Sequence, residues 1–280
     1  MGSNLSKPAA VVHGAVHARV RAGVMVQAAP DAERIFALEE TNRGHERRVA
    51  GLDARLEQVA GELQSFLYSV SHDLRAPLRA IDGFSRMLVE SKAQQLDAEG
   101  VACLERVCSQ VARMAGLIDD LAMLARVAQA DIARREVNLS EIAGAMLTRH
   151  AGAEPLRRVS WRVKEGVLAN ADAGLVRILL GNLLGNAWKF TARSEHAHIE
   201  FGMADTPKGR VLFVRDNGAG FDMQFAGKLF GAFQRMHPEK DFAGRGIGLA
   251  TVRRIVLRHG GDCWAESTPQ GGTSIYFTLP

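Results

Sequence analysis

From Val49 the apolar positions step by 3, 4, 3, 4, 3 and 4 residues through Leu52, Leu56, Val59, Leu63 and Phe66 to Val70. This is a heptad seam, continued weakly upstream by Asn42 and His45. It predicts a parallel two-stranded coiled coil over residues 35–61. Residues 1–34 show no sustained period and read as a tail. Pro77 lacks a backbone donor and crowds the preceding turn, so the helix is expected to kink or loosen just after His72. Leu78, Ile81 and Leu88 resume an apolar face. A turn is expected over Gln94–Gly100, with Asp97 as N-cap. A second helix then carries Leu104, Cys108, Val111, Met114, Leu117, Leu121 and Leu124 on one side. Two amphipathic helices cannot bury both faces alone, so two copies of residues 62–130 are expected to form a four-helix bundle.

After about Arg135 the pattern changes. A short helix is expected over Ser140–His150 and a strand over Arg158–Val163. Asp172 should cap a long helix running to Phe190. Strands follow at His198–Met203 and Val211–Arg215, then a glycine-rich stretch from Gly218 to Gly248. A helix over Ile247–His259 and strands at Asp262–Glu266 and Ser274–Leu279 close the chain. Helices and antiparallel strands in two layers predict an α+β sandwich over residues 135–280.

Composition narrows the function classes. A hydrophobic share of 47% and a charged share of 24% are those of a globular chain and exclude wholesale disorder. The apolar-leaning run Pro8–Ala18 is far too short to span a membrane, and His13 and His17 interrupt it as a signal-peptide core. No membrane contact is expected of this chain. The net charge is +4, but Lys7, Arg19 and Arg21 supply +3 of it. The folded domains are therefore nearly neutral, against nucleic acid as a partner. Cys103, Cys108 and Cys263 lack metal spacing and read as reduced thiols of a cytoplasmic protein.

Three groups of residues carry candidate chemistry. His72 sits two residues past Val70, about 200° around the helix, and so points away from the bundle core. Asp73 beside it can hydrogen-bond one ring nitrogen and leave the other as a nucleophile. Asn182, Asn186 and Lys189 share one helix face, opposite Val176, Leu180, Leu183, Leu184 and Ala187. Amide oxygens there suit Mg²⁺, and lysine suits phosphate. Two glycine clusters, Asp216-Asn-Gly-Ala-Gly-Phe221 and Gly244-Arg-Gly-Ile-Gly-Leu249, allow close approach of a ligand. The second opens a helix whose bare N–H groups suit a polyphosphate. No βαβ unit or Walker lysine accompanies them, and Asp216 is free to read an adenine amino group.

Tyr68-Ser-Val-Ser-His-Asp-Leu-Arg-Ala-Pro-Leu-Arg79, the asparagine helix, the DNGAGF cluster, Leu229-Phe-Gly-Ala-Phe-Gln-Arg235 and GRGIGLATVRRIV together resemble the sensor histidine kinases, in particular the phytochrome-like branch with its HDLRAPLR box. The resemblance covers residues 62–280. It implies a signalling coiled coil, a dimerisation and phosphoacceptor domain, and an ATP-binding domain of the GHKL (Bergerat) type. By position it makes His72 the phosphoacceptor and Asp73 its activating carboxylate. Asn186 becomes the Mg²⁺ ligand, with Asn182 and Lys189 beside the phosphates. Asp216 reads adenine, with Gly218, Gly220 and Thr273 around it. Gly244, Gly246 and Gly248 border the phosphates at the foot of a lid over 222–243 that contains Phe230 and Phe233. Phe221, Arg245, Ile247 and Leu249 complete the candidate ATP site.

The resemblance also implies a homodimer that passes phosphate to the receiver domain of a response regulator, and a kinase core whose full-length form could be anchored through a further N-terminal part. Where the family often has Thr or Ser, this chain has Arg245, which either reaches the phosphates or lies in solvent. Where many members have Thr or Asn, it has Ala76, which can orient no water for hydrolysing a regulator's phosphoaspartate. The alternatives are an ATP-binding dimeric scaffold without phosphotransfer and a GHKL ATPase of the chaperone or mismatch-repair kind. The scaffold would have lost His72, Asn186 or a glycine cluster, and the ATPase would lack the upstream His-Asp-x-x-x-Pro box. Neither holds for this chain.

Overall fold

A computed structural model describes residues 9–92, 96–206, 209–238 and 240–280. Residues 1–8 of the expected tail, residues 94 and 95 of the expected turn and the seam side chains of Leu56 and Leu63 lie outside the described residues. The chain forms two units, residues 1–62 and 63–280.

The first unit belongs to α1 (Ala9–Lys92). The helix therefore begins well before the heptad seam, within the stretch read as a tail. Alanines at 9, 10, 15, 18 and 22 favour helix by intrinsic propensity, which needs no apolar period. In this unit Leu38, Val49, Leu52 and Val59 each expose more than half of their surface.

In the second unit α1 continues through Pro77 without a break. Leu78 is buried immediately after the proline, against Val111 and Ile118 of α2 (Ala98–Gln129), and ties the helix down at that point. Asp97 caps α2 by accepting from the Gly100 N–H at 2.8 Å. The buried face of α2 is Val111, Ile118, Ala122, Ala125 and Val127. It differs from the predicted stripe, and Met114 remains 49% exposed. The cause is a change of partner along the helix: its far end packs on α5 (Gly248–Arg258) rather than on α1.

The remaining elements are β1 (Arg134–Asn138), α3 (Leu139–Ala153), β2 (Val159–Val163), β3 (Leu168–Asp172), α4 (Ala173–Phe190), β4 (Ala197–Thr206), β5 (Gly209–Asp216), a short 3₁₀ helix (Met223–Lys228), β6 (Cys263–Thr268) and β7 (Gly272–Phe277). A five-stranded sheet runs β2-β4-β5-β7-β6, and β1 and β3 form a separate antiparallel pair. The expected all-antiparallel sheet is corrected at one edge, where β2 and β4 run parallel. The core is a single apolar layer: Leu179, Leu180, Leu183 and Leu184 of α4 are fully buried with Phe201, Phe277 and Ile255. Among the described residues no helix is long and apolar enough to cross a membrane.

A buried histidine joins the ends of this domain. His259 has no exposed surface. Its Nδ1–H donates to Ile255 O at 2.8 Å, and its Nε2 accepts from the Asp172 N–H at 3.1 Å. Its carbonyl accepts from Arg134, whose other terminal nitrogen donates to Pro280 O, both at 2.8 Å. Asp172 in turn caps α4, accepting from the Gly174 and Leu175 N–H groups at 2.9 Å. His259→Ala removes a fully packed ring and leaves the Asp172 N–H without its acceptor. Urea unfolding of the variant should show a loss of about 2–4 kcal/mol.

Candidate active site

The amphipathic build of α4 creates the floor of the site. Its apolar side faces the core, so Asn182, Asn186 and Lys189 face a cavity of about 950 Å³. Asp216 and Gly220 follow β5 into its wall, and Thr273 and Ile275 of β7 complete that side. Opposite lie Gly244 to Leu249 and the start of α5, while Asp119, Asp120 and Met123 of α2 form a further wall. Phe221 also lines the cavity, packed into the core. Of the residues expected to bind nucleotide, only Gly218 lies outside the lining. Its N–H instead donates to Asp216 Oδ1 at 2.9 Å, which orients that carboxylate.

The electrostatics follow from burial. Asp216 is 8% exposed, and desolvation pushes its pKa up to about 6 against the opposing pull of the Gly218 and Thr273 N–H groups. Lys189 stands 4.2 Å over the Phe190 ring. Its burial, helped by the Arg235 charge, lowers its pKa. A cation that burial keeps short of solvent gains most from an anionic ligand. At the start of α5 no side chain caps the helix, so its first N–H groups and positive dipole end remain available at the cavity.

The oxygen donors here suit a small hard cation. The Asn182 amide donates to Ile178 O at 2.8 Å, which turns its Oδ1 towards α5. A Cβ at Gly248 would lie 2.6 Å from that oxygen, so the glycine keeps the approach open. Asn186, one turn further along, also lines the cavity. Neutral amide oxygens beside phosphate oxygens are the donor set Mg²⁺ accepts. Among the described residues no cluster of His, Cys, Asp or Glu offers a separate metal site.

Phe242, Asp241 and Arg193, none of them in the quoted motifs, anchor the stretch expected to form a lid. Phe242, 8% exposed, packs edge-on against Phe190 at 5.2 Å and against His237 at 5.2 Å. Arg193 lies over Phe242 and bonds Asp241 at 3.0 Å, and Arg235 donates to Phe242 O at 2.9 Å. Of the two expected lid aromatics, Phe230 packs against the core and Phe233 is 54% exposed. The run of aromatic and histidine residues from Phe230 to Phe242 was the available signal for an anchor.

His72 and Asp73 lie outside the cavity lining. Both side chains are about three-quarters exposed, and His72 Nδ1 is 3.2 Å from Asp73 Oδ1. With the carboxylate as acceptor, Nδ1 carries the proton and Nε2 keeps a free lone pair. Three residues on, Arg75 bonds Asp119 of α2 at 3.0 and 3.2 Å. Arg245 lines the cavity, with its side chain 40% exposed. It is paired with Asp120 of α2, at 2.6 Å from Nε and 3.1 Å from a terminal nitrogen.

Residues 62–130 match the His Kinase A (phospho-acceptor) domain family, and residues 171–280 match the histidine kinase-, DNA gyrase B- and HSP90-like ATPase family. The chain is 34% identical over 234 residues to cyanobacterial phytochrome B of Nostoc sp., covering 82% of this chain and 31% of that protein. It is 36% identical over 227 residues to the methanogenesis regulatory histidine kinase FilI of Methanothrix harundinacea, covering 80% and 25% respectively. The crystal structure of full-length ShkA in complex with AMPPNP matches with a TM-score of 0.56 at 25% identity, over 75% of this chain and 44% of that one. The chain thus spans about a third or less of the length of these two curated relatives. With both domains in their family order, the chain belongs to the sensor histidine kinases and carries their phosphoacceptor–ATPase core.

Proposed function

We propose that this chain is the core of an ATP-dependent protein histidine kinase that phosphorylates its own His72 and passes the phosphoryl group to an aspartate on a response-regulator receiver domain. One observation carries the reading. A single chain holds both an exposed histidine whose Nδ1 lies 3.2 Å from Asp73 Oδ1 and a cavity whose lining suits a nucleoside triphosphate. Asp216 at one end of that cavity suits an adenine amino group, while Lys189 and the uncapped start of α5 at the other suit phosphates.

In the transfer, the His72 Nε2 lone pair attacks the γ-phosphorus of ATP, the bond to the β–γ bridging oxygen breaks, and ADP leaves. Asp73 holds the Nδ1 proton and stabilises the cation that develops on the ring. Lys189 and the α5 N–H groups hold the phosphates, and the lid excludes water; positioning supplies most of the catalysis. Asn186, with Asn182 beside it, would hold Mg²⁺, which when bound neutralises phosphate charge. Because His72 lies outside the cavity, transfer requires the domain to swing towards it.

The exposed apolar residues support a homodimer. Leu74, Ile81, Phe84 and Leu88 on α1, with Val107 and Met114 on α2, are 39–65% exposed. A second copy that covers them completes a four-helix bundle and extends the upstream seam as a coiled coil. The three cysteines are free thiols, in keeping with a cytoplasmic core. A non-transferring scaffold would not need the His72–Asp73 pair.

Incubation with γ-labelled ATP should place acid-labile, alkali-stable label on the protein. His72→Ala should abolish the label while ATP affinity stays within about twofold, since residue 72 lies outside the cavity. Asn186→Ala should weaken Mg-ATP binding by about tenfold or more, equivalent to ~1.4 kcal/mol, and lose label with it. Retention of histidine label in the His72 variant would sink the assignment.

The Asp216 carboxyl makes a pH prediction. Its folded pKa, about 6, lies above the ordinary 3.8, so the folded state holds the proton more tightly. The nucleotide-free protein should therefore lose stability as pH rises from about 4 to about 6 and not regain it above. Asp216→Asn should flatten that slope in thermal melts across pH. At neutral pH it should leave the melting temperature no lower, yet weaken ATP by about tenfold or more because an adenine amino group loses its charged acceptor.

Ala76 makes the last. It is exposed one turn beyond His72, so the unmodified protein should dephosphorylate its regulator poorly. Ala76→Thr should raise that rate while self-labelling persists, as followed by loss of label from purified phosphoregulator.

A further inference from the structure

Arg245 lines the cavity where the proposed site would hold phosphate, yet its side chain is paired away onto α2, at the wall that Asp119 and Asp120 form. The seat is built for it. Asp120 accepts two hydrogen bonds from the guanidinium, and Gly116, one turn earlier, lies flat beneath it. A Cβ at Gly116 would come within 2.7 Å of Arg245 Cζ and closer still to Nη1. A glycine inside a helix is unfavourable by propensity alone, and here its missing side chain is the space Arg245 occupies. On its own side Arg245 is flanked by Gly244 at φ 150° and Gly246 at φ 76°, backbone geometry that other residues resist, so this loop is free to re-aim one side chain.

The neighbouring carboxylate links the seat to the acceptor helix. Asp119 is held by Arg75, three residues past His72. The two adjacent aspartates thus tie α2 to α1 on one side and to the nucleotide loop on the other. While Arg245 is seated, the phosphate end of the cavity abuts α2, and His72 lies outside it.

We infer that Arg245 is a latch: seated on Gly116 and Asp120 it holds the ATP-binding domain against α2 in a resting position, and a bound triphosphate releases the domain by drawing Arg245 off Asp120 and onto the phosphates. This rests on the reading of the cavity as an ATP site. Asp120 offers one negative charge, 32% exposed at its side chain, and the phosphates offer several, in a geometry the guanidinium fork matches as well. A ligand shifts a two-state equilibrium only through differential contacts, and Arg245 provides them: one partner in the seated state, another in the released state.

The test uses the whole chain with Gly116→Ala and Asp120→Asn. Alanine favours the helix, so Gly116→Ala should melt no lower than the unmodified protein while denying Arg245 its seat. Without nucleotide, both variants should speed hydrogen exchange in residues 243–247. At subsaturating ATP both should raise the initial rate of self-phosphorylation by about fivefold or more, the low end of coupling between two sites. AMPPNP should speed exchange of residues 116–123 of α2, the face on which the loop seats, in the unmodified protein and add little there in the variants, where the latch is already open. Unchanged exchange and rate in both variants, or a lower rate in either despite an intact fold, would overturn the latch. Failure of the unmodified protein to bind ATP would instead overturn the reading of the cavity, and nucleotide-free exchange in the variants would still report on the seat.

Discussion

Helix α4 must be dry on one side and wet on the other, and the site depends on that division. Leu179, Leu180, Leu183 and Leu184 are sealed in the core, which leaves Asn182, Asn186 and Lys189 no direction but the cavity. Burying these four leucines contributes about 2 kcal/mol each by area, so the register of α4 is held firmly. Its start is pinned as well: Asp172 caps the first turn while its own N–H is held by His259. A slip of the helix by one residue would bury an asparagine and expose a leucine.

Against this rigid floor the opposite wall is held by separable contacts. The start of α5 is uncapped, Phe242 and its neighbours anchor one end of the lid, and Arg245 is held by a part-exposed ion pair. Ion pairs of that exposure are weak and exchange readily for stronger partners. Polar amides and a buried carboxylate sit on the firm side, and the groups that move in the proposed transfer sit on the soft one. This distribution suits a catalyst that binds a nucleotide in one place and delivers its phosphoryl group in another.

Helix α2 serves two cores at once. Near its middle Val111 and Ile118 meet Leu78 of α1, while Val127 near its end joins the core of the ATPase domain. Its carboxylates divide likewise, Asp119 to Arg75 and Asp120 to Arg245. This sharing is why the face buried within one chain departs from the predicted stripe, whose exposed Met114 belongs to the surface the proposed second copy would cover. A stripe read by period assumes one partner along the whole helix, and α2 changes partner part-way. The exposed apolar residues that remain are the surface the proposed homodimer would cover.

The sequence alone determined what depends on neighbours near in the chain. The caps at Asp97 and Asp172, the polar stripe of α4 and the glycine clusters were all legible, because period, capping and turn chemistry act over a few residues. The family order of those motifs also pointed to the fold and to most of the cavity lining. Only the tertiary structure decided the rest. Strands β1 and β3 are five residues each and mostly exposed, with no alternation to betray them, and they exist by pairing with each other. The parallel edge of the sheet, the buried His259 joined to Arg134 and Asp172, and the seat of Arg245 on Gly116 and Asp120 all join residues far apart in the chain. Such pairs carry no local signature: an arginine between two glycines looks the same whether it faces phosphate, water or a carboxylate 125 residues away, and only the packing of one helix against another chooses among them.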